Sequence, residues 1–516
     1  MDFAPVEAGI LSILPPIIAI ALALITKEVI FSLIIGILSG TAIYSFSTGM
    51  GALGIITTAL ELMVSRVGAN AEMVIFLVML GSLTAVISIA GGSRAYGLRA
   101  SARIKNGRSA GLAASFLGLI LFIDDYFSII TAGTVMRPLT DRNKISREKL
   151  AYIINTTAAP VCIIVPVSSY AASVISYFPE HSSLSGMQAF LSSIPMNLYA
   201  LLSIFMVFWF SVRQKGDYGP MAKAESRAET GQVSPPSSEE ISDEITKIIK
   251  PETDNAKKGL ALDMLVPVFV LAAVSIIAMI KNTDAGLSLA MGAFVSLLSA
   301  FILYVPRRLM KVKHFFSSVT AGAKTMVPAI IILSLAWTIA HVCRDLLSTS
   351  LYIAGLALQS NLPIALIPAI MFLTACVLSF ATGTSWGTFG IIIPITLDVC
   401  NMAAPELTIT ALSAVLAGSI FGDHSSPISD CTILSSTGAQ CPHIAHVSSQ
   451  LPYALTAGSV CLAGYVIAGL TSSLGYAASV AITLPFSIGL LTVVLLIIPK
   501  ISINSHRMDT NYHELF

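Results

Sequence analysis

The sequence predicts an all-α polytopic membrane protein built as two inverted-topology repeats, each with a re-entrant hairpin and a broken transmembrane helix. About 11 spans plus two hairpins fit the apolar runs, taking ~20 residues per crossing. Three observations lead there. Apolar side chains make up 55% of the 516 residues and charged ones only 11%, against roughly 25% charged in soluble domains, and mean hydropathy is +0.84. Apolar runs of spanning length recur along the whole chain. Several of them are interrupted, at matching places in the two halves, by acids, hydroxyls, glycine and proline.

Composition also excludes some classes. A formal net charge of +1 leaves no electrostatic footprint for nucleic acid, and none is expected as a partner. Cys162, Cys343, Cys376, Cys400, Cys431, Cys441 and Cys461 lie scattered in or beside apolar runs without a CxxC, and read as small core hydrophobes. No G-x-x-x-x-G-K-[ST] occurs, so ATP drive has no support and no cofactor is expected. The opening MDFAPVEAGI lacks the basic region of a cleaved signal, so the first apolar run is expected to be retained.

Taken in order, residues 1–212 form the first repeat, with apolar runs at 11–26, 30–47 and 73–90, a hairpin-like piece at 110–136, and runs at 150–176 and 194–212. Residues 213–258 are rich in charge, serine and proline and read as an aqueous linker. Within it SSEEISDEITKIIK has the spacing of a capped helix, with Ser237 and Glu240 as a capping box and Ile241, Ile245 and Ile248 on one face. Residues 259–475 form the second repeat, with runs at 260–280, 285–305 and 327–342, a piece at 362–396, then 410–438 and 451–473. Residues 476–516 add one more helix, at 476–498, and a tail.

Basic residues orient these elements. Arg94, Arg99, Arg103, Lys105 and Arg108 crowd one loop, Arg137, Arg142, Lys144, Arg147 and Lys149 the next, and Arg307, Arg308, Lys311 and Lys313 a third. Short basic loops stay cytoplasmic. Two basic loops on one side make 110–136 a re-entrant hairpin rather than a span. The count then places the N-terminus outside, and the linker and C-terminus inside, in the cytoplasmic membrane. The halves also echo each other: 14–40 parallels 265–298, FIDDYFSIITAG (122–133) falls where SFATGTSWGTFG (379–390) falls, and 155–170 where 422–436 falls. Inverted repeats with interrupted segments at matching positions are the signature of alternating-access transport.

Four polar clusters sit at membrane depth, where ionisable groups are costly unless solvated or paired. Asp124 and Asp125 are adjacent acids in an apolar hairpin and would repel without a cation or proton between them. The alternative is a hairpin tip solvated at the cytoplasmic surface. Asn155, Thr156 and Thr157 precede Pro160 and offer hard-cation oxygens, or merely bond back to their own turn. Thr382, Gly383, Thr384 and Ser385 form a tip of hydroxyls and backbone carbonyls, or a small-residue packing surface. G-x-S-x-G at 383–387 matches a nucleophile elbow, but that motif requires a preceding strand in an α/β sheet, so the chain is not expected to be an enzyme.

The fourth cluster, GDHSSPISD, carries Asp423, His424, Ser425, Ser426 and Asp430 around Pro427. A carboxylate alternately buried and hydrated can exchange a proton for Na⁺, because burial favours the neutral form and a cation the charged one. The reading is therefore a secondary active transporter, Na⁺/H⁺ antiport by alternating access. Na⁺ and H⁺ are the transported ions, and Na⁺ is expected at Asp423, Thr384 and Thr156. The alternative is a Na⁺- or H⁺-coupled carrier of a small organic anion, malate- or lactate-like, or of an amino acid. Arg344 is one candidate cation for it, though pairing with Asp345 at a helix end is the plainer reading. His443 and His446 have HxxH spacing but follow Pro442, and read as loop residues.

FATGTSWGTFG (380–390) and GDHSSPISDCTILSSTGAQCPHIAHVSSQLPYA (422–454), with the FIDDYF hairpin, resemble the paired signatures of the NhaC-type Na⁺/H⁺ antiporters of the ion transporter superfamily. The likeness runs over nearly the whole chain. It implies two inverted repeats, two re-entrant hairpins, cation-coupled transport in the lipid bilayer and, in many members, a homodimer. It also brings malate/lactate exchange within the family's range. His424 stands where relatives often carry lysine or another polar residue.

Overall fold

A computed structural model describes residues 4–513, apart from 27, 92–94, 96–103, 105, 179–184, 214–215, 236–258, 282–284, 350–351, 353–362 and 428. Every regular element among the described residues is helical. The first half runs α1 (Leu14–Thr26), α2 (Val29–Ser47), α3 (Gly51–Ala69), α4 (Ala71–Ile89), α5 (Gly107–Ile120), α6 (Asp125–Arg142), α7 (Arg147–Thr156), α8 (Ala159–Cys162), α9 (Ser169–Ile175), α10 (Gly186–Ser193) and α11 (Leu198–Arg213). After α12 (Gly219–Glu229) come α13 (Leu262–Ile280), α14 (Ala285–Tyr304), α15 (Val312–Thr325) and α16 (Val327–His341). The chain ends with α17 (Ile367–Thr382), α18 (Ser385–Ala403), α19 (Thr408–Ser425), α20 (Asp430–Ala439), α21 (His443–Leu470) and α22 (Tyr476–His513). Among the described residues, eleven helices are long and apolar enough to cross a membrane, or 12 counting the pair Gly186–Met196 and Leu198–Arg213, bent by 48°. The protein is a multi-pass membrane protein.

One of these helices was not expected. Gly51–Ala69 has spanning length, although Glu61 and Arg66 break its apolar run. The expected run 11–26 is met by Leu14–Thr26, a helix of 13 residues that is not among the eleven, so three spans still precede the basic loop, the number that the count used. That first basic loop lies mostly outside the described residues, as does SSEEISDEITKIIK. The described part of the 213–258 segment is more than a solvated tether: Met221, Ala224 and Ala228 of α12 are buried. Lys149 Nζ reaches Asp217 Oδ2 at 2.7 Å and Glu225 Oε2 at 3.4 Å, and Arg227 forks onto Glu148 at 2.7 and 2.8 Å. These bonds tie α12 to the start of α7.

Local chemistry explains where the helices break. Asp124 caps α6 by accepting from the Phe127 N–H at 3.0 Å, as an N-cap carboxylate does. Beyond Thr156 the chain makes the single turn α8, passes Pro166 and restarts at α9 under a Ser168 cap. Gly383 ends α17 with φ +68°, a left-handed backbone that glycine adopts without strain. Pro427 follows α19, and Ser429 caps α20 through the Thr432 N–H at 3.2 Å. The result is two helical hairpins, α5–α6 and α17–α18, and two interrupted segments, α7–α9 and α19–α20.

Each hairpin packs on the interrupted segment of the other half: α6 lies against α20, and α18 against α9. The first contact is close because it lacks side chains. A Cβ on Gly133 would fall 2.9 Å from Cα of Gly438, the small-residue device by which membrane helices approach.

Candidate functional site

The N-terminus of α6 presents two buried carboxylates. Asp124, besides capping its helix, lies 3.4 Å from the Ser169 hydroxyl. Asp125 Oδ1 accepts from the Tyr126 N–H at 3.0 Å, and Oδ2 accepts from Tyr170 OH at 2.8 Å and from Cys431 Sγ at 3.2 Å. Their side chains are 3% and 1% exposed, so a hairpin tip washed by solvent does not describe them. Hydroxyls of α9 face the acids of the first hairpin.

In the second half the roles are exchanged. The carboxylate sits on the interrupted segment, as Asp423, and the hydroxyl on the hairpin: Ser385 Oγ donates to Asp423 Oδ2 at 2.8 Å. Ser429 Oγ donates to Asp423 Oδ1. The two sets meet at the first turn of α20, where Ser429 holds Asp423 and Cys431, two residues on, holds Asp125. Tyr170 makes a second bridge, with its hydroxyl on Asp125 and its ring 5.4 Å from that of Trp386. A cavity of about 280 Å³ opens beside this junction, lined by Asp124, Asp125, Tyr126, Thr384 and Trp386, with an apolar wall that includes Ile332 and Leu434.

Other residues singled out in the sequence lie elsewhere. Thr382 and Thr157 donate to Leu378 O at 2.9 Å and Ile153 O at 2.8 Å, so both are bonded into their own turns. Asn155 Nδ2 donates to Gln450 Oε1 at 3.3 Å, and Gln450 Nε2 donates to the His424 carbonyl at 2.6 Å. Tyr199 OH lies 3.4 Å from His424 Nδ1. Asn155 and His424 thus form a separate buried cluster, and Thr156 falls with it at the end of α7. Ser425 and Ser426 are buried at the break after α19. Asp430 opens α20, but its side chain lies outside the described residues, as does that of Arg344. Asp345 pairs with His341.

His443 and His446 are not in a loop; they open α21. His443 Nε2 lies 2.6 Å from the Pro427 carbonyl oxygen, fastening α21 to the break, and His446 is fully buried without a hydrogen-bond partner for its ring. The G-x-S-x-G serine starts a helix that follows another helix, and its hydroxyl is committed to Asp423 rather than raised on an elbow.

The sequence reading passed over Ser169, Tyr170, Ser429 and Cys431 as ligands of the carboxylates. A signal existed for Ser429, a serine cap just ahead of an apolar run. Nothing local marks Cys431 or Tyr170, whose partner Asp125 is hundreds of residues or a helix pair away.

The chain is similar to several known proteins. An uncharacterized protein of Haemophilus influenzae is 36% identical over 510 residues, covering 93% of this chain and 95% of that one. A malate-2H⁺/Na⁺-lactate antiporter of Bacillus subtilis is 36% identical over 103 residues, 18% of this chain and 21% of its own length. An arginine/ornithine antiporter of Halobacterium salinarum is 32% identical over 114 residues, 21% and 23% of the two chains. A transporter structure from Alcanivorax borkumensis aligns at a TM-score of 0.44 with 13% identity, over 82% of this chain and 90% of that one, too distant to carry an argument. The model of the Na⁺/H⁺ antiporter family matches residues 161–470, more than half of the chain, from α8 through both breaks of the second half to the end of α21: the chain belongs to the Na⁺/H⁺ antiporter family of secondary transporters.

Proposed function

We propose that this transporter exchanges Na⁺ for H⁺ at Asp125 and Asp423, working by alternating access between two inverted repeats in the cytoplasmic membrane. The observation that carries the reading is the joining of the two buried carboxylates, one from each half, by the first turn of α20. Carboxylates held together in a low-dielectric setting favour one proton or one cation between them over two bare charges. Ser385, Ser429 and Tyr170 supply neutral oxygens, and Thr384 adds another at the cavity wall; hard cations are held by such oxygens. Asp124 neighbours the pair. Thr156, buried at the end of α7, offers one more hydroxyl oxygen for Na⁺ in this reading.

The exchange of ligand roles between halves supports the inverted-repeat reading. A hydroxyl-bearing segment meets an acid-bearing one twice, in opposite order, and each hairpin reaches across to the other half. Such an interface can rock about a fixed site.

Na⁺-dependent dequenching of a pH dye in inverted vesicles tests the proposal. Wild type should dissipate an imposed proton gradient on addition of Na⁺, and Asp423→Asn and Asp125→Asn should each abolish this. Undiminished exchange in both variants, at equal protein in the membrane, overturns the reading.

A further inference from the structure

Beside the carboxylate pair the protein encloses far more space than an ion fills. The cavity of about 280 Å³ is roughly nine times the ~30 Å³ share of one water molecule. It lies just under the ~300–1,000 Å³ range of sites for small organic ligands. Much of its wall is apolar: Met326, Pro328, Ile332, Ile433 and Leu434. A dehydrated Na⁺ gains nothing from such a wall, because it needs oxygen ligands.

The polar part of the wall has two ends. One is Asp124 and Asp125. The other is the start of α18, where Thr384 occupies the cap position without a side-chain hydrogen bond and the first turn has no acidic residue. Uncapped first turns direct N–H groups and the positive end of the helix dipole outward, and carboxylates bind there. The first hairpin differs, since Asp124 caps its own helix. Tyr170 fixes the spacing of the two ends, bonded to Asp125 and packed on Trp386.

We infer that the cavity binds a zwitterionic amino acid with an apolar side chain, and that this is the organic substrate moved together with the ions. The ammonium group sits on Asp124 and Asp125, with Tyr126 offering an aromatic face to the cation. The carboxylate sits on the first turn of α18 at Thr384, and the side chain lies against Ile332, Ile433 and Leu434. No lysine, arginine or histidine lines the cavity among the described residues. A dicarboxylate such as malate would therefore bring a second negative charge to Asp124 and Asp125 with no cation to answer it. A dibasic amino acid would set its distal charge against the apolar wall. The inference rests on the reading of Asp125 and Asp423 as the ion site, which couples the substrate to the gradients.

The test uses the purified full chain in proteoliposomes with an inward Na⁺ gradient and an internal pH dye, supplied with radiolabelled L-leucine, L-phenylalanine, L-lysine or L-malate. Leucine and phenylalanine should accumulate at least tenfold over empty liposomes. Competition should require both ends of the zwitterion, so that isoamylamine and 4-methylpentanoate compete at least tenfold more weakly than leucine. Ile332→Trp, which fills the cavity, should exclude phenylalanine more than alanine, a size selectivity that simple misfolding does not produce. Na⁺/H⁺ exchange without uptake of either apolar amino acid overturns this inference and leaves the ion reading standing. Preferential uptake of malate or lysine overturns it as well. Amino-acid uptake indifferent to Na⁺ and pH removes the ion reading and the coupling with it.

Discussion

Cys431 Sγ donates to Asp125 Oδ2 at 3.2 Å across 306 residues of chain. The bond joins the tip of the first hairpin to the first turn of α20, whose cap residue Ser429 holds Asp423. A weak donor on a carboxylate contributes about 1 kcal/mol, a roughly fivefold effect. Cys431→Ala should therefore weaken apparent Na⁺ affinity about fivefold in the vesicle assay, and Cys431→Ser, which keeps a donor, should retain it. Equal behaviour of the two variants would show that the bond plays no part in exchange.

Ser385 is the only residue of the GTSWG tip whose hydroxyl is bonded to a carboxylate among the described residues, at 2.8 Å from Asp423. A hydrogen bond to a charged group stabilises by about 1.5–3 kcal/mol. Ser385→Ala should raise the Na⁺ concentration for half-maximal exchange roughly ten- to hundredfold, with the protein still inserted in the membrane. Thr382→Val should change it little, because Thr382 donates only to Leu378 O. The contrast separates an ion ligand from a helix-bound hydroxyl three residues away in the same tip; equal losses would mean that the tip acts only by packing.

The contact between Gly133 and Gly438 gives a third outcome, one of stability. A Cβ at Gly133 would meet Gly438 backbone atoms at 2.8, 2.9 and 3.0 Å, and backbone cannot step aside as a side chain can. Overpacking of this kind costs about 1–3 kcal/mol. Gly133→Ala should lower the melting temperature of the detergent-purified protein and its exchange rate together. Gly68, near the end of α3, has nothing within 4 Å of such a Cβ. Gly68→Ala should leave melting unchanged or raise it, by up to about 1 kcal/mol from helix propensity.

Polar groups that interrupt apolar runs are legible in the sequence, and the fold brings several of them together. Asp124, Asp125, Thr384, Ser385 and Asp423 all come to the junction, because lipid-depth polarity is costly enough to mark itself. The sequence could not say which partner each group meets. Tyr170 and Cys431 look like ordinary core residues until the halves pack, and Thr157 and Thr382 look like ligands until their own carbonyls are seen to take them. Gly51–Ala69 was passed over because two charges divide its apolar run. α12 was passed over because only Met221, Ala224 and Ala228 are buried, too few to read as a docking face against the charged residues between them.

The docking of α12 carries a pH dependence whose direction can be worked out. Burial pushes the Glu225 carboxyl above the usual glutamate range, and Lys149 and the Ser146 donors, which pull the other way, do not outweigh it. A carboxyl raised on docking binds its proton more readily docked than free. Its contribution is therefore fully present below the ordinary glutamate value of about 4.3 and is lost as pH rises through the raised one. For Lys149 burial alone would lower the ammonium, but Asp217 and Glu225 hold it above its usual value. Its contribution is lost only in alkali, beyond an ordinary lysine value of about 10.4, and does not set the slope near neutrality. Hydrogen exchange within 219–229, corrected for intrinsic rates, should thus show protection that falls over the interval above the ordinary glutamate value of about 4.3. Glu225→Gln, which cannot ionise, should flatten that fall, while helices remote from α7 keep the same protection in both proteins. Protection that rises over this interval, or an unchanged slope in Glu225→Gln, would show that another group governs the docking.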